Sequence, residues 1–166
     1  MTVIAAKDGV MAADTMLSAH NQQNRAQKLV RLPDGGVAGA CGQWNRAYQA
    51  LRYLEDGGDP DAKDGLPKFD GASVLIARPN GSLWVAEDEF PPFPLLDSVA
   101  AIGCGSDAAL MAMSLGLSAV DAVSRVTRQD VLCGDPVQSM EIVPERNMPP
   151  IKTHTRKARP AKRRRK

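Results

Sequence analysis

The chain has 166 residues, 43% of them hydrophobic and 24% charged, with 21 Lys and Arg against 19 Asp and Glu for a formal charge of +2. That length predicts one domain with a sizeable core, and no apolar run reaches the roughly 20 residues needed to cross a bilayer. The near-neutral total hides two opposite parts: residues 152–166 carry nine basic residues and no acid, which leaves 12 basic against 19 acidic residues in 1–151, a net of −7.

Thr2–Ala6 and Val10–Asp14 are short segments of small and β-branched residues around Lys7-Asp8-Gly9, and predict a hairpin. Residues 15–27 are polar and read as irregular. Lys28–Leu32 and Val37–Cys41 flank Pro33-Asp34-Gly35-Gly36, a second hairpin signal. Gln43–Glu55 has apolar residues at 44, 47, 48, 51 and 54, the spacing of an amphipathic helix. Asp56–Asp70 is rich in Gly, Asp and Pro and reads as a loop. A third hairpin is expected over Ala72–Arg78 and Ser82–Glu87 around Pro79-Asn80-Gly81, then a proline-rich loop over 88–97 and a strand over Ser98–Ile102. Asp107–Leu115 and Ser118–Arg128 are predicted helices, the second with Ser118 as its N-cap and Asp121 three residues on. Val137–Val143 is the last expected strand, and residues 144–166 read as a disordered basic tail beyond a domain spanning 1–143. Strands that arrive as hairpins predict mainly antiparallel sheets, and two sheets flanked by helices is the economical α+β arrangement.

Three widely spaced cysteines, Cys41, Cys104 and Cys133, predict no disulfide framework and a reducing, cytoplasmic compartment. Two distant histidines, His20 and His154, and no CxxC predict no structural zinc site. The first residues lack a basic start followed by a long apolar core, so no signal peptide is expected.

The informative residue is Thr2. Methionine is normally removed before a small second residue, and the exposed threonine would carry a hydroxyl and an α-amine together. An α-amine with a pKa of about 7.7–8.0 is a suitable base for an adjacent hydroxyl. If Lys7-Asp8-Gly9 forms the first loop, Thr2 faces Asp14; a tighter Asp8-Gly9 turn slips the register by one and leaves the two as neighbours. A two-residue Asp34-Gly35 turn in the second hairpin would set Lys28 opposite Cys41, next to Gly42. Gly42 ends a strand before a helix, where backbone N–H groups can hold an oxyanion.

These residues carry a resemblance. Met1-Thr2-Val3-Ile4, Gly9-Val10-Met11-Ala12-Ala13-Asp14, Lys28-Leu29-Val30-Arg31-Leu32 and Val37-Ala38-Gly39-Ala40-Cys41-Gly42 resemble the proteasome β-subunit family, especially its bacterial HslV-type branch. Ile102-Gly103-Cys104-Gly105-Ser106 is similar to the family's Gly-x-Gly-Ser turn, and Asp130-Val131-Leu132-Cys133-Gly134-Asp135 to its Asp-x-x-Ser-Gly-Gly loop. The likeness spans about residues 2–143 and rests on the order and spacing of the motifs. It implies an N-terminal-nucleophile threonine peptidase with an αββα four-layer sandwich. Thr2 would be the nucleophile, Asp14 and Lys28 its charged partners, and the Gly42 N–H the oxyanion donor. Ser106 and Asp130 would order the amine and its water, with Cys133 where the family has a serine. The pocket positions fall near Ala26, Ala40 and Trp44. The resemblance further implies polypeptide substrates, no metal or organic cofactor, a homo-oligomer and an ATP-dependent unfoldase partner. Residues 56–70 are too short and too rich in Pro and Gly for the family's second long helix after Gly42, so the helical layer is expected to be shortened and the ring size is left open.

Three other readings compete with this one. Gly103-Cys104-Gly105-Ser106-Asp107-Ala108 formally fits a dinucleotide fingerprint, but late in the chain and with no following strand to supply a ribose-binding acid. Cys104 could act as a thiol nucleophile with His20 or His154, although neither histidine lies on a predicted element. The third is a catalytically silent fold whose 152–166 tail binds nucleic acid or another acidic surface by charge, without sequence readout.

Overall fold

A computed structural model describes residues 2–19, 22–62, 66–130 and 133–143. His20, His154 and the basic tail expected over 144–166 lie outside these residues.

The first hairpin forms from β1 (Val3–Lys7) and β2 (Val10–Ala13). Asp8 and Gly9 make a two-residue turn with φ of 50° and 77°, so Ile4 pairs with Ala13 and Lys7 with Val10. This is the tighter of the two expected registers, and it sets Asp14 beside Val3 rather than squarely opposite Thr2. Residues expected to be irregular form a further hairpin, β3 (Met16–Ala19) and β4 (Gln22–Arg25), a two-stranded sheet of its own. In the next pair, β5 (Leu29–Arg31) and β6 (Val37–Gly42), Leu29 faces Gly39. The register differs by one residue from the expected one, and the Ala40 N–H donates to the Lys28 carbonyl. The cause is the turn. The Leu32 N–H donates to the Gly36 carbonyl and the Gly36 N–H to Asp34 Oδ1, so the loop holds three residues, Pro33 to Gly35, and not two.

After β6 comes α1 (Trp44–Glu55), which buries Ala47, Ala50, Leu51 and Leu54 at helical spacing while Tyr48 lies half-exposed. Strands β7 (Lys68–Ala77), β8 (Leu83–Glu89) and β9 (Phe93–Pro94) complete a five-stranded antiparallel sheet in the order β5-β6-β7-β8-β9. β7 takes in three residues expected to be loop and β9 two more. β10 (Val99–Gly103) pairs with β1, and β11 (Gln138–Glu141) with β2, giving a four-stranded sheet β10-β1-β2-β11. Between β10 and β11 run α2 (Ser106–Ser114) and α3 (Ala119–Gln129); Ser118 caps α3 as expected, its hydroxyl accepting from the Asp121 N–H at 3.1 Å.

Alternation along β1 shows where the core lies. Ile4 and Ala6 pack with Leu29, Val37, Leu75 and Val85 of the other sheet, whereas Val3 and Ala5 pack with Met113, Val123 and Val126 of the two helices. On the five-stranded sheet, Ala38, Val74 and Ile76 pack against α1. Among the described residues, α1 is the sole helix between β6 and β7. No helix is long and apolar enough to cross a membrane.

Candidate active site

The N-terminal ends of β1 and β5 and the C-terminal ends of β2, β6 and β10 meet at Thr2. Asp14 follows β2 directly, and the slipped register puts its carboxylate where several backbone N–H groups converge. Its Oδ1 accepts from the Val3 N–H at 3.0 Å, and its Oδ2 from those of Met16 at 3.1 Å and Gly134 at 3.2 Å. Lys28 enters from the residue before β5, and its Nζ donates to Asp14 Oδ1 at 2.9 Å, to the Met16 carbonyl at 2.6 Å and to Thr2 Oγ1 at 2.8 Å. Asp14 and Lys28 are fully buried and Thr2 is 7% exposed. A charged pair removed from water is held only where further hydrogen bonds satisfy it, and both partners here have them. An ammonium 2.8 Å from Thr2 Oγ1 stabilises negative charge that develops on that oxygen.

Gly103 supplies the close approach that seats Thr2. Its φ is +94°, and a Cβ there would stand 2.2 Å from the Thr2 carbonyl oxygen and 3.6 Å from Cys41 Cβ. The end of β10 therefore touches both Thr2 and the end of β6. Gly42, exposed at the β6–α1 junction with φ +96°, leaves no room for a side chain either, since a Cβ would lie 2.3 Å from the Gly71 carbonyl oxygen. The neighbouring Gln43 N–H is taken by that carbonyl at 2.8 Å.

The remaining predicted residues divide. The Thr2 carbonyl accepts from the Cys104 thiol at 3.3 Å and lies 3.5 Å from the Gly105 nitrogen. Cys104 Sγ is 3.8 Å from Cys133 Sγ, which is 3.9 Å from Asp130 Oδ2, so a chain of contacts runs from Asp130 to the Thr2 carbonyl. Ser106 is the first residue of α2, two positions after Cys104. Ala26 and Trp44 are half-buried, but Ala40 is fully enclosed in the cluster with Val30, Ala47 and Leu51. On β6 the Ala40 methyl lies on the α1 side of the sheet. Burial pushes the Cys41 thiol up to about 11, and burial likewise raises Cys133, reinforced by the charge of Asp14; both are protonated at neutral pH.

One positioning residue escaped the sequence reading. Gln138 on β11 accepts at Oε1 from the backbone N–H groups of Lys28 (3.1 Å) and Leu29 (3.3 Å), and donates from Nε2 to the carbonyls of Asp14 (3.1 Å) and Ala26 (3.4 Å). A single amide thus ties both charged residues to the same strand. Gln138→Leu is expected to cost about 2–3 kcal/mol, because it strands backbone groups that the apolar side chain also keeps from water. A denaturation midpoint equal to that of the wild type would show that water replaces the amide.

The α+β arrangement of antiparallel sheets and three helices is that of HslV-type proteins. Among solved structures, the chain is similar to Thiobacillus denitrificans BPH in complex with epoxomicin, at a TM-score of 0.62 and 23% identity over 86% of this chain and 99% of that one. A second structure of the same BPH matches at a TM-score of 0.55 and 24% identity, over 86% and 98%. Eukaryotic HslV from Trypanosoma brucei matches at a TM-score of 0.60 and 19% identity, over 85% and 99%. The sequence matches no protein-family model and no curated protein.

Proposed function

We propose that the chain is a threonine-type peptidase of the proteasome β/HslV kind, acting through Thr2 once Met1 has been removed. The observation that carries this reading is the buried Lys28 ammonium, 2.8 Å from Thr2 Oγ1 and 2.9 Å from Asp14. The likeness to HslV in fold supports it, as does a BPH structure that holds epoxomicin. In the reaction, Thr2 Oγ attacks the carbonyl carbon of the scissile peptide and its proton passes to the Thr2 α-amine. The Gly42 N–H receives the oxyanion. Collapse of the tetrahedral intermediate leaves an ester on Thr2 and expels the amine product, which takes the proton back. Water, deprotonated by the same α-amine, then hydrolyses the ester. Lys28 stabilises the attacking oxygen and Asp14 fixes Lys28. Ser106, Asp130 and Cys133 order the amine and its water.

The same reading takes α1, the five-stranded sheet, the four-stranded sheet and the α2–α3 pair as the four layers of an αββα sandwich. It also takes the chain to be a cytoplasmic homo-oligomer with polypeptide substrates, fed by an ATP-dependent unfoldase, with the residue preceding the cut held near Ala26, Ala40 and Trp44. Hydrolysis of short peptides and of an unfolded polypeptide tests the chemistry. Thr2→Ala is expected to lower turnover by roughly 10²-fold or more, while Thr2→Ser keeps a measurable rate. Equal cleavage by Thr2→Ala and wild type would end the proposal.

A further inference from the structure

Cys104, Asp130 and Cys133 are 26 and three residues apart in sequence, yet their ligand atoms all lie within 4.8 Å of one another. Nothing in the spacing announces this, since Cys104 comes from the turn between β10 and α2 and the other two from the end of α3 and the residues beyond it. The sulfur–sulfur separation matches a particular coordination chemistry, and the carboxylate lies within a few tenths of an ångström of it at Cys133. Two thiolates on a tetrahedral zinc, each at about 2.3 Å, stand about 3.8 Å apart, and a thiolate and a carboxylate oxygen about 3.5 Å apart. Here Cys104 Sγ and Cys133 Sγ are 3.8 Å apart, and Cys133 Sγ and Asp130 Oδ2 3.9 Å.

We infer that Cys104, Cys133 and Asp130 form a site for a thiophilic d10 divalent cation of the Zn2+ and Cd2+ class, next to the Thr2 nucleophile. Hard cations such as Mg2+ prefer all-oxygen sets, so two sulfurs and one carboxylate select against them. Binding releases the two thiol protons to solvent and involves no change of oxidation state. Cys104 is exposed, which gives the cation a route in, while Cys133 is buried and fixes one ligand in place. Loading the site has a consequence at Thr2, because a metal-bound Cys104 thiolate can no longer donate to the Thr2 carbonyl, as the thiol now does at 3.3 Å. This coupling, unlike the site itself, rests on the peptidase reading: a cation held by Asp130 and Cys133 withdraws the residues that order the amine, and silences the enzyme.

The test is a titration of the reduced, full-length chain with Cd2+, read by thiolate-to-metal charge-transfer absorption in the ultraviolet. One equivalent is expected to bind the wild type with two thiolates' worth of absorption. Cys104→Ser and Cys133→Ser each should lose half or more of that absorption and weaken binding by roughly tenfold or more, and Asp130→Asn should weaken binding with the absorption kept. Cys41→Ser should match the wild type and controls for the third thiol; Cys104→Ser, at an exposed position, keeps the test independent of folding. Undiminished absorption and affinity in Cys104→Ser, or none in the wild type, would overturn the site. Where the metal-free protein cleaves peptides, saturating Zn2+ should suppress turnover and a chelator restore it, and turnover unchanged by bound Zn2+ would overturn the coupling. A wild type that binds Cd2+ as predicted but never cleaves peptides refutes the peptidase reading and leaves the site standing.

Discussion

Asp14→Ala is expected to leave the chain barely able to hold its fold at room temperature. The carboxylate is fully buried, accepts from the backbone N–H groups of Val3, Met16 and Gly134, and balances the buried Lys28 ammonium 2.9 Å away. Alanine removes the countercharge and strands those donors together. Breaking a buried pair costs about 3–5 kcal/mol and each stranded group about 1–3 more, against a total stability of about 5–15 kcal/mol for a domain of this kind. Lys28→Met should be milder in stability, since the backbone donors still hold the carboxylate, but should lower peptide turnover by roughly 10²-fold or more. Asp14→Leu combined with Lys28→Met should regain part of the lost stability without regaining activity, because an apolar pair leaves no uncompensated charge. Urea denaturation followed by circular dichroism gives the ranking. A midpoint for Asp14→Ala within error of the wild type would mean that the pair is not buried as described.

Gly103→Ala is expected to have the next largest effect, and at a residue without functional groups. The φ of +94° costs a side chain about 1–2 kcal/mol, and the added carbon would lie 2.2 Å from the Thr2 carbonyl oxygen, which belongs to backbone and can yield only by moving β1. With the overlap, a loss of about 2–5 kcal/mol is anticipated. What distinguishes this site from an ordinary tight turn is where the strain goes. Thr2 is the residue displaced, so turnover should fall further than stability, and a variant kept folded at low temperature should still be inactive. Full activity in Gly103→Ala would show that the β10–Thr2 contact does not set the position of the nucleophile. Leu110 on the exposed side of α2 offers the contrast: replacing it by Ala touches neither contact.

Most of the architecture could be read from hydrophobic spacing and turn residues, and the exceptions have physical causes. Asp8-Gly9 announces a hairpin, but whether the loop has two or three residues changes the pairing by one and cannot be decided by composition. The same ambiguity at Pro33-Asp34-Gly35 misplaced Lys28 opposite Cys41, where it in fact pairs with Ala40. Neither slip separated the charged residues, because Lys28 and Asp14 have long or convergent reach from strand ends. The paired strands Met16–Ala19 and Gln22–Arg25 carry no such signal, since Gln22-Gln23-Asn24-Arg25 shows no apolar alternation; their pairing rests on backbone groups. Thr2, Asp14 and Lys28 were legible through the resemblance and through local geometry. Gln138 was not, for a lone glutamine carries no chemical signature until β11 is laid beside β2. The Cys104–Cys133 pair is hidden for the same reason: 28 residues of chain fold back before the sulfurs meet.

The central claim is that Thr2 becomes an N-terminal nucleophile, and one mass-spectrometric measurement addresses it. Purified protein is incubated with epoxomicin, digested, and the N-terminal peptide is identified. An epoxyketone requires a hydroxyl and a free α-amine on one residue, so the account predicts a peptide that begins at Thr2, lacks Met1 and carries the inhibitor on Thr2, with no adduct in Lys28→Met. An N-terminal peptide that retains Met1 and stays unmodified would contradict the account.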